Sequence, residues 1–441
     1  MPLGNLASAL VELRARVQAA DLRSSSSREL IDLIAGLEDL KTTAEAVQAQ
    51  ASVAFDSARR SEQATAGVPA RRQGRGVAAE VALARRESPH RGQVLLGLAK
   101  ILVGEMPHTL DRMRNGSLSE FRATLLARET ACLEAEQRAF VDQELCADPA
   151  ALEGVGTREL VGRVKRMVAE LDPAAVVRRA RKAETERCVS IRPAPDAMTY
   201  LTALLPVADG VAAYAALTKD AERMRAGGDP RAKGQLMADL MLTRLTGLPD
   251  TGSPDQAPAV PVTVNVVLPD TALAGGHTPA EVNGEVVPAE IARLLAARAM
   301  DAGLATWFRS LYRNPLGRLV AMSSRQRCFP EGLAEFLSVQ GGGICATPFC
   351  DAPIRHTDHI QPVDEGGTTS AVNGQGLCEA CNHAKQAHGW QQQRVEHPQE
   401  RPETQTITPT GHRYTARAPA PPGYREPHWQ QAGPGRYELI S

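Results

Sequence analysis

Residues 345–390 read CATPFCDAPIRHTDHIQPVDEGGTTSAVNGQGLCEACNHAKQAHGW. Cys345 and Cys350 stand five positions apart, Cys378 and Cys381 three apart, with 27 residues between the pairs. Four soft thiolates in two close-spaced pairs suit a closed, tetrahedral Zn²⁺ site, the alternatives being an iron–sulfur cluster or buried thiols brought near by coincidence. With no position left for water, such a site is structural. An ion held this way supplies folding energy to a module too small to build a core of its own. Elsewhere Cys132, Cys146, Cys188 and Cys328 are scattered, whereas seven of the ten histidines lie beyond residue 350. The chemistry is therefore expected in the last quarter of the chain.

Between the cysteine pairs lie Asp358-His359-Ile360, then Gly366-Gly367, then Asn373. Directly after the last cysteine come Asn382, His383 and Lys385. In this order and spacing the stretch resembles the HNH (ββα-metal) endonucleases, whose motif runs D-H-[IV], G-G-x-[TS]…N and C-x2-C-[NH]-x2-K. The resemblance implies that His359 is the general base for water, that Asp358 and Asn382 ligate the catalytic metal, and that Asn373 orients the catalytic His through its backbone. Elementary chemistry agrees. Phosphodiester hydrolysis needs a base near neutral pH and a cation to neutralise charge on the phosphate and leaving oxygen. The hard oxygens of Asp358 and Asn382 favour Mg²⁺ or Mn²⁺ over a second zinc. Lys385 is a candidate contact to a DNA phosphate. His356, His383 and His388 are more ordinary, as exposed residues or substrate contacts. Two departures from the family pattern stand beside the motif: Gln340-Gly341-Gly342-Gly343 replaces an Arg-Asp run, and Thr357 replaces a frequent acidic residue.

Further along, VAAEVALARRESPHRGQVLLGLAKIL (77–102) and LPVADGVAAY (205–214) extend the resemblance over most of the chain. They are similar to actinobacterial HNH endonucleases with a long helical N-terminal domain of unknown function, the thirteen-E-twelve repeat proteins among them.

The 441 residues suffice for two or three domains, and 43% apolar with 23% charged residues is a globular composition. Aromatics at 4% amid abundant Ala, Leu and Arg favour helices over a β-sandwich. A net charge of −1 excludes a supercharged nucleic-acid coat. No run reaches the 18 or so apolar residues a membrane span requires. Glu12, Arg14 and Arg16 interrupt any secretory segment, so a cytoplasmic protein without disulfides is expected.

From Leu30 the residues Leu33, Leu37, Leu40, Ala44, Val47, Ala51 and Ala54 continue a heptad seam behind the capping run Ser24–Ser27. An amphipathic helix packed in its own domain is expected, or a homodimer through the N-terminal helices. Val77–Arg86 and Arg91–Val103 read as helices joined by Glu87-Ser88-Pro89-His90, with Ser88 as N-cap and Pro89 as first helical residue. This pair is an ordinary hairpin or a DNA-binding helix-turn-helix. Ser117–Glu120 opens a helix to about Cys146. Arg163–Arg187 holds eight basic and four acidic residues, and Arg178, Arg179, Arg181 and Lys182 are its candidate phosphate contacts. Helices are expected from Asp196 to about Leu248, and Val262–Leu268 is the one long strand, pairing near Glu285–Val287. Helix returns from Pro288 to about Phe308. The Pro- and Gln-rich tail is expected to be poorly ordered apart from a Thr406–Thr415 hairpin.

The expected architecture is mostly α, a multi-helix N-terminal region with a small β hairpin, followed by a small zinc-stabilised ββα-metal (HNH) module. Its segments are 1–66 (amphipathic, coiled-coil-like helices), 67–250 (helical domain, with the possible helix-turn-helix at 77–103), 251–340 (strand hairpin and helical connector), 341–396 (nuclease module) and 397–441 (tail). The function expected is metal-dependent cleavage of DNA, with structural Zn²⁺ and catalytic Mg²⁺ or Mn²⁺. The alternative is a zinc-stabilised nucleic-acid-binding protein with a vestigial nuclease site.

Overall fold

A computed structural model describes residues 3–20, 22–195, 198–247, 266–269, 272, 275–282, 285–301, 323–324, 328–395, 403–419, 428–433 and 436–440. Two compact units interleave along the chain, residues 1–62 with 94–179 and residues 63–93 with 180–441. The described residues are mostly helical, with several small sheets. None of their helices is long and apolar enough to cross a membrane.

The first nine helices are α1 (Leu3–Gln18), α2 (Ser27–Thr65), α3 (Val77–Arg85), α4 (Pro89–Gly104), α5 (Pro107–Arg114), α6 (Glu120–Glu129), α7 (Ala135–Cys146), α8 (Thr157–Leu171) and α9 (Pro173–Thr185). In the first unit α5 packs on α7 and α6 on α8 around Leu102, Met106, Met113, Leu118, Leu126, Val141 and Leu160, all fully buried. Helix α8 shows why: Leu160, Val164 and Val168 recur every four residues and form its buried stripe. The first turn of α5 is capped from a distance. Asp142 of α7 accepts from the backbone N–H of His108 and Thr109, each at 2.8 Å, and from the Thr109 hydroxyl.

Helix α2 opens on a reciprocal cap, with Ser26 N–H donating to Glu29 at 2.7 Å and Glu29 N–H to the Ser26 hydroxyl at 3.3 Å. Its heptad seam, however, is not the face that packs. Leu33, Leu37, Leu40, Ala44, Val47, Ala51 and Ala54 are exposed, and the buried positions are Thr42, Ala46, Ala49, Asp56, Arg59 and Gln63. Small residues lead this face because they admit close helix approach. Its carboxylate is paid for by ion pairs, Asp56 Oδ2 lying 2.8 Å from Lys100 and 2.9 Å from Arg60.

Other expectations are also corrected. The single helix from Ser117 to Cys146 is two, α6 and α7. Thr130 turns its hydroxyl back onto the Leu126 carbonyl at 2.8 Å, and the Arg138 guanidinium takes the Leu133 carbonyl at 3.0 Å, so the break leaves no orphaned acceptor there. The helical reading of 198–204 also fails, residues 196 and 197 lying outside the described residues. β1 (Cys188–Ala194) and β2 (Met198–Leu204) pair antiparallel, Ile191 opposite Leu201, carried by the β-branched residues Val189, Ile191 and Thr199. They precede the helix pair α10 (Val207–Ala226) and α11 (Lys233–Thr246).

Of the expected long strand only β3 (Val266–Val267) is described; residues 262–265 and the connection 250–260 lie outside the described residues. β3 pairs with β4 (Ala280–Val282), not with β5 (Glu285–Val287), which hydrogen-bonds to the other edge of β4. Only two positions in sequence separate β4 from β5, which makes them neighbours first. Helix α12 (Ala289–Asp301) follows, residues 302–308 of the expected helix lying outside the described set. Among the described residues of the tail the expected Thr406–Thr415 hairpin is present, and further strands accompany it. β10 (Gln391–Val395), β11 (Glu403–Ile407) and β12 (Arg413–Arg417) form a sheet, and β13 (His428–Gly433) pairs with β14 (Arg436–Ile440). Alternation in β11 buries Thr404 and Thr406, a period-two pattern that prolines flanking the strand do not interrupt.

Candidate active site and metal centre

Within the second unit, β6 (Ser323–Ser324) and α13 (Glu331–Gln340) lead into β7 (His356–His359), β8 (Thr369–Ser370), β9 (Gly374–Leu377) and α14 (Glu379–Lys385). β7 and β9 pair antiparallel, setting Asp358 opposite Gln375 and His359 opposite Gly374. Both α13 and α14 pack on this hairpin. The result is a ββα unit.

Local structure gathers the four cysteines. Cys345 N–H donates to the Ala352 carbonyl at 2.9 Å and Cys350 N–H to Thr347 at 3.1 Å, curling the first pair into a knuckle. Cys378 is the N-cap of α14, its Sγ accepting from Cys381 N–H at 3.4 Å. All four are buried, with sulfurs within 4.8 Å of one another, and Cys350 Sγ lies 3.7 Å from Cys378 Sγ. A tetrahedron with metal–sulfur bonds of about 2.3 Å requires sulfurs about 3.8 Å apart. The set therefore fits a thiolate-bound metal. Cys350 and Cys381 hydrogen-bond to the Cys345 sulfur and pull its pKa down to about 2. Cys350 itself is pushed up to about 12 by the same bond to Cys345, and Cys381 is pushed up also, first by Cys345 and then by Cys350. The four crowded, buried sulfurs could hold a metal ion between them.

Beside this knot stand the motif residues. His359 Nε2 lies 2.9 Å from the Thr369 hydroxyl, and the ring of Phe329 packs on its imidazole with centroids 4.5 Å apart. Lys385, nearly buried at 11% side-chain exposure, sets its ammonium 2.6 Å from Asp358 Oδ2 and against the His359 carbonyl. Asn382 Oδ1 is buried without a hydrogen-bond partner among the described residues.

Asn373 closes the loop between β7 and β8. Its Oδ1 accepts from Gln361 N–H at 2.8 Å, and its Nδ2 donates to the Gln361 and Thr368 carbonyls at 3.0 and 2.9 Å. Its own carbonyl accepts from Ile360 N–H at 2.7 Å. Gly367 sits beneath this clamp, where a Cβ would stand 1.9 Å from the Gln361 carbonyl. Asn373 thus holds both flanks of His359: Ile360 through its backbone, and the residue preceding Thr369 through its side chain.

Asp358, His359, Asn373, Asn382 and Lys385 are gathered with the four cysteines in one module. His356, His383 and His388 are exposed. Of the α9 cations, Arg178 is 3.5 Å from Asp172, Arg179 donates to the Glu129 carbonyl at 3.1 Å, and Lys182 is 3.9 Å from Glu186. Arg181 is exposed on the same helix. Sequence reasoning missed Thr369 and Phe329. Thr369 lay in plain view as the third residue after Gly366, and a lone Phe329-Pro330 step in an aromatic-poor chain was the available signal for the other.

Compared with known families, residues 34–340 match the one described as "Domain of unknown function (DUF222)", and residues 343–388 match "HNH endonuclease". No curated protein and no solved structure matches the chain.

Proposed function

Because the chain belongs to the DUF222 family and continues into an HNH endonuclease domain, we propose that it is a metal-dependent endonuclease that hydrolyses DNA phosphodiester bonds, its helical region positioning the substrate. The observation that supports this best is the joint placement of a His, a carboxylate and an unbonded amide oxygen, His359, Asp358 and Asn382, in one ββα module.

In this reading Cys345, Cys350, Cys378 and Cys381 bind a structural Zn²⁺ that holds the knuckle to α14. Asp358 and Asn382 hold Mg²⁺ or Mn²⁺, which supplies charge neutralisation at the phosphate and the leaving oxygen. His359, its ring fixed between Phe329 and Thr369, takes the proton of the attacking water. Asn373 keeps the loop that carries those flanks in place. With a metal on Asp358, Lys385 would be available to a DNA phosphate, and Arg178, Arg179, Arg181 and Lys182 would offer further phosphate contacts. The exposed stripe of α2 is the surface through which two copies would pair. A cytoplasmic location suits both DNA and four reduced thiolates.

One observation favours a second reading. The Lys385 ammonium already neutralises Asp358, as it would permanently in a zinc-stabilised nucleic-acid-binding protein with a vestigial nuclease site. Supercoiled plasmid separates the two. Zinc-loaded protein freed of other metals should nick it only after Mg²⁺ or Mn²⁺ is added. Binding without nicking under any divalent metal would discard the nuclease reading.

A further inference from the structure

The ββα module and the tail behind it are poorly charged for holding a polyanion. Residues 341–441 contain eight Lys and Arg against ten Asp and Glu. Protein–DNA affinity rests heavily on neutralised phosphates and released counterions. Cations must therefore come from another part of the chain, and one source shares the module's own compact unit. Residues 63–93 fall in that unit and carry six arginines against two glutamates.

Several contacts fix this segment to the module. Gly76, at φ +84° in front of α3, lies so close to Trp390 that a Cβ there would stand 2.4 Å from the indole Nε1 and 3.1 Å from Ala387 Cβ. Glu80, 5% exposed, accepts from the Thr410 hydroxyl at 3.1 Å. Ala82, Leu83 and Pro89 face Pro348, Ala384 and Trp390 across a small cavity. The loop before α3 is held as well: the Gln63 carboxamide accepts from Gly74 N–H at 2.6 Å and donates to the Arg75 carbonyl at 3.2 Å. One side of α3 is thereby committed to the module, while Arg71, Arg72, Arg75 and Arg86 are exposed. Gly76 is packed close to Ala387, two residues beyond the Lys385 whose ammonium pairs with Asp358, so the arginine loop is seated beside the chain segment that carries this lysine.

We propose that residues 67–93 are the phosphate-binding surface of the nuclease unit, with Arg71, Arg72, Arg75 and Arg86 neutralising the backbone of the DNA that the ββα module cuts. The assignment rests on the nuclease reading above and gives α3 the role of a docked bracket. Each lost phosphate contact lowers the slope of log affinity against log salt by about 0.9.

The test uses the full chain, a fluorescent DNA duplex and anisotropy across a salt series without added divalent metal. The R71Q/R72Q/R75Q variant should keep its zinc, show a slope shallower by about 2.7, and bind several hundredfold more weakly at about 0.1 M salt. The charge-keeping R71K/R72K/R75K variant should bind like the wild type. A wild-type slope in the Gln variant would overturn the assignment, as would an equal loss in the Lys variant, since fold rather than charge would then be responsible. Binding is read here without turnover. An unchanged slope with plasmid nicking intact therefore removes only this surface, whereas a changed slope in a protein that never nicks removes the nuclease reading.

Discussion

Replacing Asn373 with Ala deletes three side-chain hydrogen bonds, to Gln361 N–H at 2.8 Å, the Gln361 carbonyl at 3.0 Å and the Thr368 carbonyl at 2.9 Å. The backbone bond from Ile360 to the residue 373 carbonyl survives, so β7 and β9 stay paired and the cysteine knot is untouched. Net values for such bonds run about 0.5–1.5 kcal/mol each. The site is half-exposed, so water recovers part of the loss, and about 2 kcal/mol is the reasonable sum. If that energy holds the 361–368 loop and Thr369 in register with His359, its loss slows the chemical step by about 30-fold. Asn373→Asp keeps the bond from Gln361 N–H but turns a carboxylate oxygen toward two carbonyls, so it should be slower still. The assay is single-turnover nicking of supercoiled plasmid at saturating protein, with zinc content measured on the same samples. Both variants should retain zinc and lose rate rather than affinity. Nicking within twofold of wild type in both would refute the claim that this clamp positions the base.

Three further outcomes follow from other contacts. Asp142→Ala strips the first turn of α5 of its buried acceptor, and urea unfolding should show a loss of about 3 kcal/mol or more; a loss under 1 kcal/mol would mean the cap is dispensable. Burial raises the pKa of Asp56, but hydrogen bonds from Lys100 and Arg60 outweigh it and hold the carboxyl below its usual value. The stability it contributes is present above the unfolded pKa near 3.9 and lost as pH falls through the lower folded value. Thermal melts of wild type and Asp56→Asn should therefore converge as the pH drops below about 4, and parallel curves would contradict this. Burial holds the Cys146 thiol up at about 11, while Cys188 and Cys328 are exposed. Iodoacetamide at pH 8 should label those two first by mass spectrometry, and early labelling of Cys146 would show that the α5–α7 core opens.

What the sequence makes legible is chemistry with fixed spacing. The two cysteine pairs come together as their order implies, and the Ser88-Pro89 step starts α4, with Ser88 Oγ accepting from Arg91 N–H at 3.3 Å. What stays hidden depends on partners distant in sequence. The buried face of α2 includes Asp56, Arg59 and Gln63, which no apolar periodicity can mark, because their burial is balanced by ion pairs and hydrogen bonds made elsewhere. The break between α6 and α7 rests on Thr130 and on Arg138, eight residues away. Phe329 reaches His359 from thirty positions upstream. The docking of α3 on Trp390 joins segments more than three hundred residues apart, and a small residue such as Gly76 signals such an approach only once its neighbour is known.

In the proposed reading His359 activates water for phosphodiester hydrolysis in the ββα module. Its most direct test is plasmid nicking by zinc-loaded wild-type protein and His359→Ala, side by side in Mg²⁺ or Mn²⁺ and at matched protein and DNA concentrations. The account predicts metal-dependent nicking by the wild type and a loss of at least a hundredfold in the variant, with zinc retained in both. Equal nicking by the two proteins would contradict it.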